Sequence, residues 1–205
     1  MLLRSTVQEI GRFGEVTFVT AGPRERLVIG AIELVRRNGV AGTGLAELLT
    51  HSGTARGSIY QHFPGGKDEL VEASVRLAGD VMTFRADAQP RTPDEIVALV
   101  VASSRSALVE SDFGLGCPVV AAATAGPEHA AVVAAAGEVF AAWTAALADA
   151  LVSSGMPRGA APSFAGLVIS AVEGALVQAR ARRSTQPFDD VEAQLVTLAR
   201  AHVTM

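Results

Sequence analysis

The chain has little of what catalytic and secreted proteins usually display. It has one cysteine, Cys117, which excludes an internal disulfide and fits a reducing, cytoplasmic compartment. Four histidines, His51, His62, His129 and His202, are scattered and share no metal-ligand spacing with that cysteine, so no metal is expected. There is no nucleophile elbow, phosphate loop or dinucleotide fingerprint, so neither an enzyme nor a bound cofactor is expected. No uncharged apolar run approaches the ~20 residues of a membrane helix, and Arg4 precedes no long apolar core of a signal peptide. No membrane association is therefore expected. Aromatics are only 5% of a chain that is 49% apolar, so the core must be built mainly from Ala, Val and Leu, which suits close helix packing. Glycine and proline are too few for a disordered chain.

The most informative stretch runs from Thr43 to Leu70. Leu45 to His51 reads as a short helix with Leu45, Leu48 and Leu49 on one face. Ser52-Gly53-Thr54 breaks it, because Gly53 permits the left-handed backbone of a tight turn. Ala55 to Tyr60 is a second helix, small and polar except for Ile59. A helix that short is not stable alone and must be propped by its neighbours, with Ile59 inward and Arg56, Gly57, Ser58 and Tyr60 outward. Two such helices across a glycine turn are a helix-turn-helix, whose second helix enters the DNA major groove. The chemistry agrees. Gly57 and Ser58 let the backbone approach closely, and Thr54 or Ser58 can bond a phosphate or a base edge. Arg56 can read guanine or bind phosphate, and Tyr60 and His62 carry donors for phosphate oxygens. Lys67 opens the next helix after a Pro-Gly-Gly turn, where its charge and the helix N–H groups attract a phosphate. The candidate contact set is Thr43, Thr54, Ala55, Arg56, Gly57, Ser58, Tyr60, Gln61, His62 and Lys67.

The run from Gly57 to Leu70, GSIYQHFPGGKDEL, resembles the DNA-binding signature of the TetR family of bacterial repressors. In that family Tyr-x-His-Phe and a Lys four residues after the Phe recur. The preceding LAELLTHSG, Leu45 to Gly53, is similar to the family's first motif helix. The resemblance covers about residues 24 to 84. Two departures stand out: Thr54-Ala55 replaces the usual apolar residue and Ser, which makes Thr54 a candidate helix cap, and Pro64-Gly65-Gly66 loosens the approach to Lys67.

Net charge is −4, which is unusual for a DNA binder until it is divided. Residues 24 to 67 hold six Arg or Lys against three Glu, +3, while residues 86 to 205 hold seven against twelve acids, −5. Residues 1 to 22 carry no helical stripe and read as a flexible arm, or as a minor-groove arm using Arg4 and Arg12. Pro23 to Asn38-Gly39 is a bracing helix with Leu27, Ala31, Leu34 and Val35 buried. Arg24 and Arg26 at its start are further candidates for phosphate contact. A helix from Gly66 or Lys67 to about Arg85 links the two halves. Gln89 to Pro93 marks the domain boundary, so residues 23–88 form the DNA-binding domain and 89–205 the second domain. Thr92-Pro93-Asp94-Glu95 has the layout of a helix start. Further helices are expected to Ser111, after the Gly114–Ala121 corner, over Glu128–Ser154, over Pro162–Ser184 and over Phe188–His202. The helix over Glu128–Ser154 is apolar on all sides and is expected to be buried. The fold expected is all-α, about nine helices, without strands or repeats.

The resemblance implies a homodimer through the last two helices, about 162–184 and 187–203, forming a four-helix bundle across a twofold axis. The residues support it independently, since these helices carry more apolar surface than one thin domain covers, and Gly166, Ala171, Gly174 and Ala175 permit close approach. A monomer that buries these faces internally is the alternative. The family also places a small-molecule pocket among its middle helices, and Phe84, Phe113, Cys117, Phe140, Trp143, Phe164 and Gln178 are the candidates for an apolar effector. Each can equally be core. The Gly116-Cys117-Pro118-Val119 corner is similar to the LmrA/YxaF-type subgroup, which controls drug-efflux genes; Cys117 is then a pocket residue, a redox sensor or inert packing. The expected function is a dimeric repressor that binds a palindromic double-stranded DNA operator and is released by a small apolar molecule. The alternatives are an activator or nucleoid factor with the same motif, an enzyme using the apolar cavity, and a small-molecule- or protein-binding module without DNA binding.

Overall fold

Proline sets where the helices of this chain begin. Pro23, Pro93, Pro118, Pro127 and Pro162 each stand at the first or second position of a helical segment, where a missing N–H costs nothing. The computed structural model describes residues 21–82 and 91–203. Among these are nine α-helices and no strand: α1 Pro23–Gly42, α2 Leu45–Ser52, α3 Arg56–His62, α4 Lys67–Met82, α5 Pro93–Glu110, α6 Pro118–Ala123, α7 Ala130–Ser153, α8 Ala161–Arg182 and α9 Gln186–Val203. A 3-10 turn, Pro127–His129, precedes α7. The arm, with Arg4 and Arg12, and the expected break at Gln89-Pro90 lie outside the described residues, as does Phe84.

By internal packing the chain divides into two units, residues 1–82 with 117–139, and residues 83–116 with 140–205. The sequence boundary at 88/89 differs from this division, because α6 packs on α1 and the first half of α7 joins α4. The first unit is organised by one apolar cluster: Leu27, Val28, Ala31 and Leu34 of α1, Leu48 of α2, Ile59 of α3, Phe63 and Leu70. Burying each large side chain contributes roughly 1.5–3 kcal/mol. The regular run of α1 stops at Gly39, the end expected from Asn38-Gly39, with a φ of 74° that glycine accommodates. Gly79 of α4 is a contact point against α7, because a Cβ there would lie 2.7 and 2.8 Å from the two Val139 methyls.

In the second unit α5, α8 and α9 pack against one another. Thr92 opens α5 as expected, its N–H donating to Glu95 Oε2 at 2.8 Å. Arg105 of α5 bridges to Asp189, at 3.2 Å, and Glu192 of α9, and Arg200 of α9 donates to Asp94 at 2.7 Å. The corner after α5 is tight: Asp112 and Phe113 both have positive φ, 49° and 60°. Arg183 holds it by donating to the Asp112 carboxylate at 2.8 Å and carbonyl at 3.1 Å, and Arg180 donates to the Gly114 carbonyl.

Two expectations need correction. The helix over Glu128–Ser154 is not buried all round, since Ala131, Ala134, Gly137, Ala141, Ala142 and Ala145 are exposed. Its apolar character comes largely from alanine, which needs less burial than Leu or Val. Segments 127–153 and 161–182 are also long and apolar enough to span a membrane by length and composition. Counting only uncharged runs missed them, because Glu138 and Asp149 interrupt the first and Glu173 the second.

Candidate nucleic-acid interface

The candidate surface is built by three short-range devices. First, α2 ends at Gly53, which adopts the left-handed conformation (φ 61°, ψ 35°). Its N–H and that of Thr54 fold back onto the carbonyls of Thr50 and Leu49, at 3.3 and 3.2 Å. Second, Arg26 of α1 donates through Nε to the Ser52 carbonyl at 3.1 Å and through a terminal nitrogen to the Ala21 carbonyl at 2.9 Å. A guanidinium at the C-terminal end of α2 opposes the negative end of that helix. Third, Gly30 lets α1 and α2 touch, since a Cβ there would meet His51 at 3.1 Å. Together these fix the angle at which α3 leaves the turn.

α3 is seven residues long and held from beneath by Ile59 and by Phe63 just past its end, both about 1% exposed. Its opposite face carries Arg56, Gly57, Tyr60 and Gln61, all exposed, with Ser58 and His62 half-buried beside them. Tyr60, the only tyrosine, is 59% exposed. None of Arg56, Ser58, Tyr60, Gln61, His62 or Lys67 has a side-chain hydrogen-bond or ion-pair partner among the described residues. An aromatic phenol and a guanidinium left bare on a helix with a polar outer face are groups for an external partner.

Lys67, the chain's single lysine, is the first residue of α4 and partly exposed. The Pro64-Gly65-Gly66 approach is fastened rather than loose. Gly66 has φ 77° and donates to the Phe63 carbonyl at 2.8 Å, and the Gly65 N–H donates to Glu69 Oε2 at 2.7 Å.

Two expected contacts change. Thr43 is fully buried, its hydroxyl donating to the Gly39 carbonyl at 2.7 Å and its N–H directed to Val40. It braces the α1–α2 corner and presents nothing to solvent. Thr54 is not the cap of α3: Ala55 occupies that position, and the Thr54 hydroxyl bonds Ser52 Oγ at 2.8 Å. Ala55 is exposed and offers backbone only.

The basic residues also divide into committed and uncommitted groups. Arg37 pairs with Glu33 at 2.8 Å, and Arg26 is used as above. Arg36 is buried enough that desolvation pulls its guanidinium below the ordinary arginine value, against the opposing influence of Cys117 and Glu33. Arg24 is exposed with its guanidinium 5.2 Å above the Phe63 ring. Of the six cations over residues 24 to 67, those left for a partner among the described residues are Arg56 and Lys67, with Arg24 alongside. Sequence reasoning missed this sorting, as it missed the role of Arg26, whose Ser52 partner lies 26 residues away in the chain.

Phe140 and Trp143 meet edge to face, centroids 5.7 Å apart, and Phe164 lies against His202. Phe113 is held under Arg183 at 5.5 Å. Cys117 is buried in the first unit at the N-cap of α6. Gln178 is exposed on α8, one turn from the exposed Gly174, because the inward positions there are taken by Ala175, Leu176 and Ala179.

Comparison with known proteins agrees with this geometry. Residues 27–74 match the family described as bacterial regulatory proteins, tetR family, and residues 93–194 match the C-terminal domain of LmrA/YxaF-like transcriptional regulators. The chain is 36% identical over 188 residues to an HTH-type transcriptional regulator of Mycobacterium tuberculosis, covering 89% of this chain and 96% of that one. It is 26% identical over 185 residues to the HTH-type regulator YxaF of Bacillus subtilis, covering 86% and 95%. Among solved structures, a TetR transcriptional regulator from Legionella pneumophila shares the fold with TM-score 0.78 at 19% identity, covering 88% of this chain and 98% of that one. A TetR-family regulator from Cytophaga hutchinsonii gives 0.74 at 25% identity, covering 89% and 95%. The chain belongs to the TetR family of helix-turn-helix transcriptional regulators, with a C-terminal half of the LmrA/YxaF-like type.

Proposed function

We propose that the protein is a cytoplasmic, homodimeric repressor, without enzymatic activity, that binds a palindromic operator and is released by a small apolar molecule. The observation that carries the reading is the outer face of α3, where Arg56, Tyr60 and Gln61 stand exposed over a base fixed by Ile59 and Phe63. Each subunit inserts α3 into the major groove, the two heads reading grooves about one helical turn apart. Arg56 reads a base or a phosphate, Tyr60 and His62 contact phosphate, and Lys67 anchors the backbone at the start of α4.

Dimerisation through α8 and α9 is supported by what those helices leave uncovered. Leu167 and Val177 on α8 and Leu198 on α9 are 46%, 51% and 43% exposed, and Gly174 and Ala181 of α8 are exposed as well. An isologous bundle covers such a face. The effector binds beside the Phe140–Trp143 pair, and shifts the population of reading-head spacings only in so far as it prefers the non-binding one. The discriminating experiment is selection of duplex from a random pool, followed by variants. Arg56→Ala is expected to weaken binding and relax preference at one base position, while Tyr60→Phe weakens binding to all sequences alike. Unchanged affinity in both variants contradicts the assignment.

A further inference from the structure

His129 lies in the 3-10 turn before α7, far in sequence from the helix-turn-helix, yet it belongs to the same packing unit. Its Nδ1 is 2.8 Å from Asp68 Oδ1, in the first turn of α4 and one residue beyond Lys67. The histidine side chain is only 13% exposed, whereas the aspartate is 38% exposed. Glu128 approaches the other ring nitrogen at 3.6 Å. The turn is itself fixed, the His129 N–H donating to the Gly126 carbonyl at 2.9 Å.

An ionised carboxylate beside a phosphate-binding lysine works against that lysine. It repels the phosphate and attracts the same ammonium. Glu69, the other acid of this turn, is occupied with the Gly65 N–H. Asp68 is occupied by His129. Resting on the proposed DNA contact of Lys67, we propose that His129 is a positioning residue for that contact: it turns the Asp68 carboxylate towards α7 and hydrogen-bonds it there, out of the path of the phosphate. The second half of the chain thereby reaches into the DNA anchor through one side chain.

The charge involved gives a distinctive test. With the full-length protein and a duplex recovered from a random-sequence pool, His129→Leu is expected to lower affinity by up to about fivefold for each reading head, the effect of one unit charge about 4 Å from another at water-like dielectric. His129→Gln keeps a donor and stays near wild type. Asp68→Asn removes the charge that His129 manages, so it restores binding to His129→Leu and changes wild type much less. A purely structural role for His129 is not repaired by deleting a charge elsewhere. An equal effect of Asp68→Asn in both backgrounds overturns the proposal, as does wild-type affinity in His129→Leu. Wild-type protein that binds no duplex in a salt-sensitive way overturns the DNA reading itself and this inference with it.

Discussion

The salt dependence of DNA binding is set by how many cations the reading heads leave for phosphate. Each head offers Arg56 and Lys67 without a partner among the described residues, so a dimer offers four such groups. Each phosphate neutralised steepens the slope of log K against log salt by about 0.9. Lys67→Ala removes one contact per head and should make the slope shallower by about 1.8. Raising salt fourfold then costs the variant roughly twelvefold less affinity than it costs wild type, a difference that follows directly from the slope. Fluorescence anisotropy of a labelled duplex over about 50 to 200 mM salt reads this directly. Arg37→Ala is the matched control. It also deletes one positive charge per head, but from a side chain already paired with Glu33. Equal slope changes for the two variants would show that net charge alone matters and would refute the sorting of cations by partner.

Four further outcomes follow from packing and charge. Ile59→Ala should cost about 2–5 kcal/mol by denaturant titration, because the side chain is 1% exposed and a seven-residue helix has little else to hold it. Gly79→Ala should cost roughly 1–3 kcal/mol by the same measurement, and Val139→Ala in that background should recover most of it, since the added Cβ meets the two Val139 methyls. The Thr92 hydroxyl, and then Arg200, hold the Asp94 carboxyl below its usual range, so its stabilisation is present above the unfolded-state value and is lost as pH falls through the folded-state value. The melting temperature of Asp94→Asn should therefore fall less than that of wild type on acidification below about pH 4. Val177→Glu should turn a dimer into monomers in sedimentation experiments, because it places a charge on the most exposed large apolar residue of α8.

Much of the fold was legible because it is written in local signals. Gly39 and Gly53 stop helices with the positive φ that glycine allows, and Thr92 with Glu95 starts one. The inward stripe of α1 and the lone Ile59 of α3 follow from helical spacing, and all are buried. What local spacing does not carry is how much of a face is covered. α7 reads as apolar all round, yet Ala131, Ala134, Gly137, Ala141, Ala142 and Ala145 lie exposed; Leu167 and Leu198 continue buried stripes but emerge at the surface. Periodicity reports that a face is apolar, and only tertiary packing decides whether this chain covers it or another copy must.

The candidate site was legible in its residue types and only partly in its roles. Counting charges over residues 24 to 67 gives +3, as though six cations were equivalent. In the fold they are not. Arg26 is a strut at the end of α2, Arg37 belongs to Glu33, and Arg36 is drawn into the protein. Thr43 likewise changes from a surface hydroxyl to an internal brace. The acids are redistributed too: Glu69 is tied to Gly65 and Asp68 to His129, so the turn that opens α4 is less negative towards solvent than its sequence reads. A cation acts on DNA with its full charge only if nothing nearer holds it, and the groups that hold Arg26 and Arg37 lie 26 and 4 residues away. Specificity for nucleic acid in this protein is therefore a property of which charges the fold leaves unspent, and Lys67, the sole lysine, is the clearest of them.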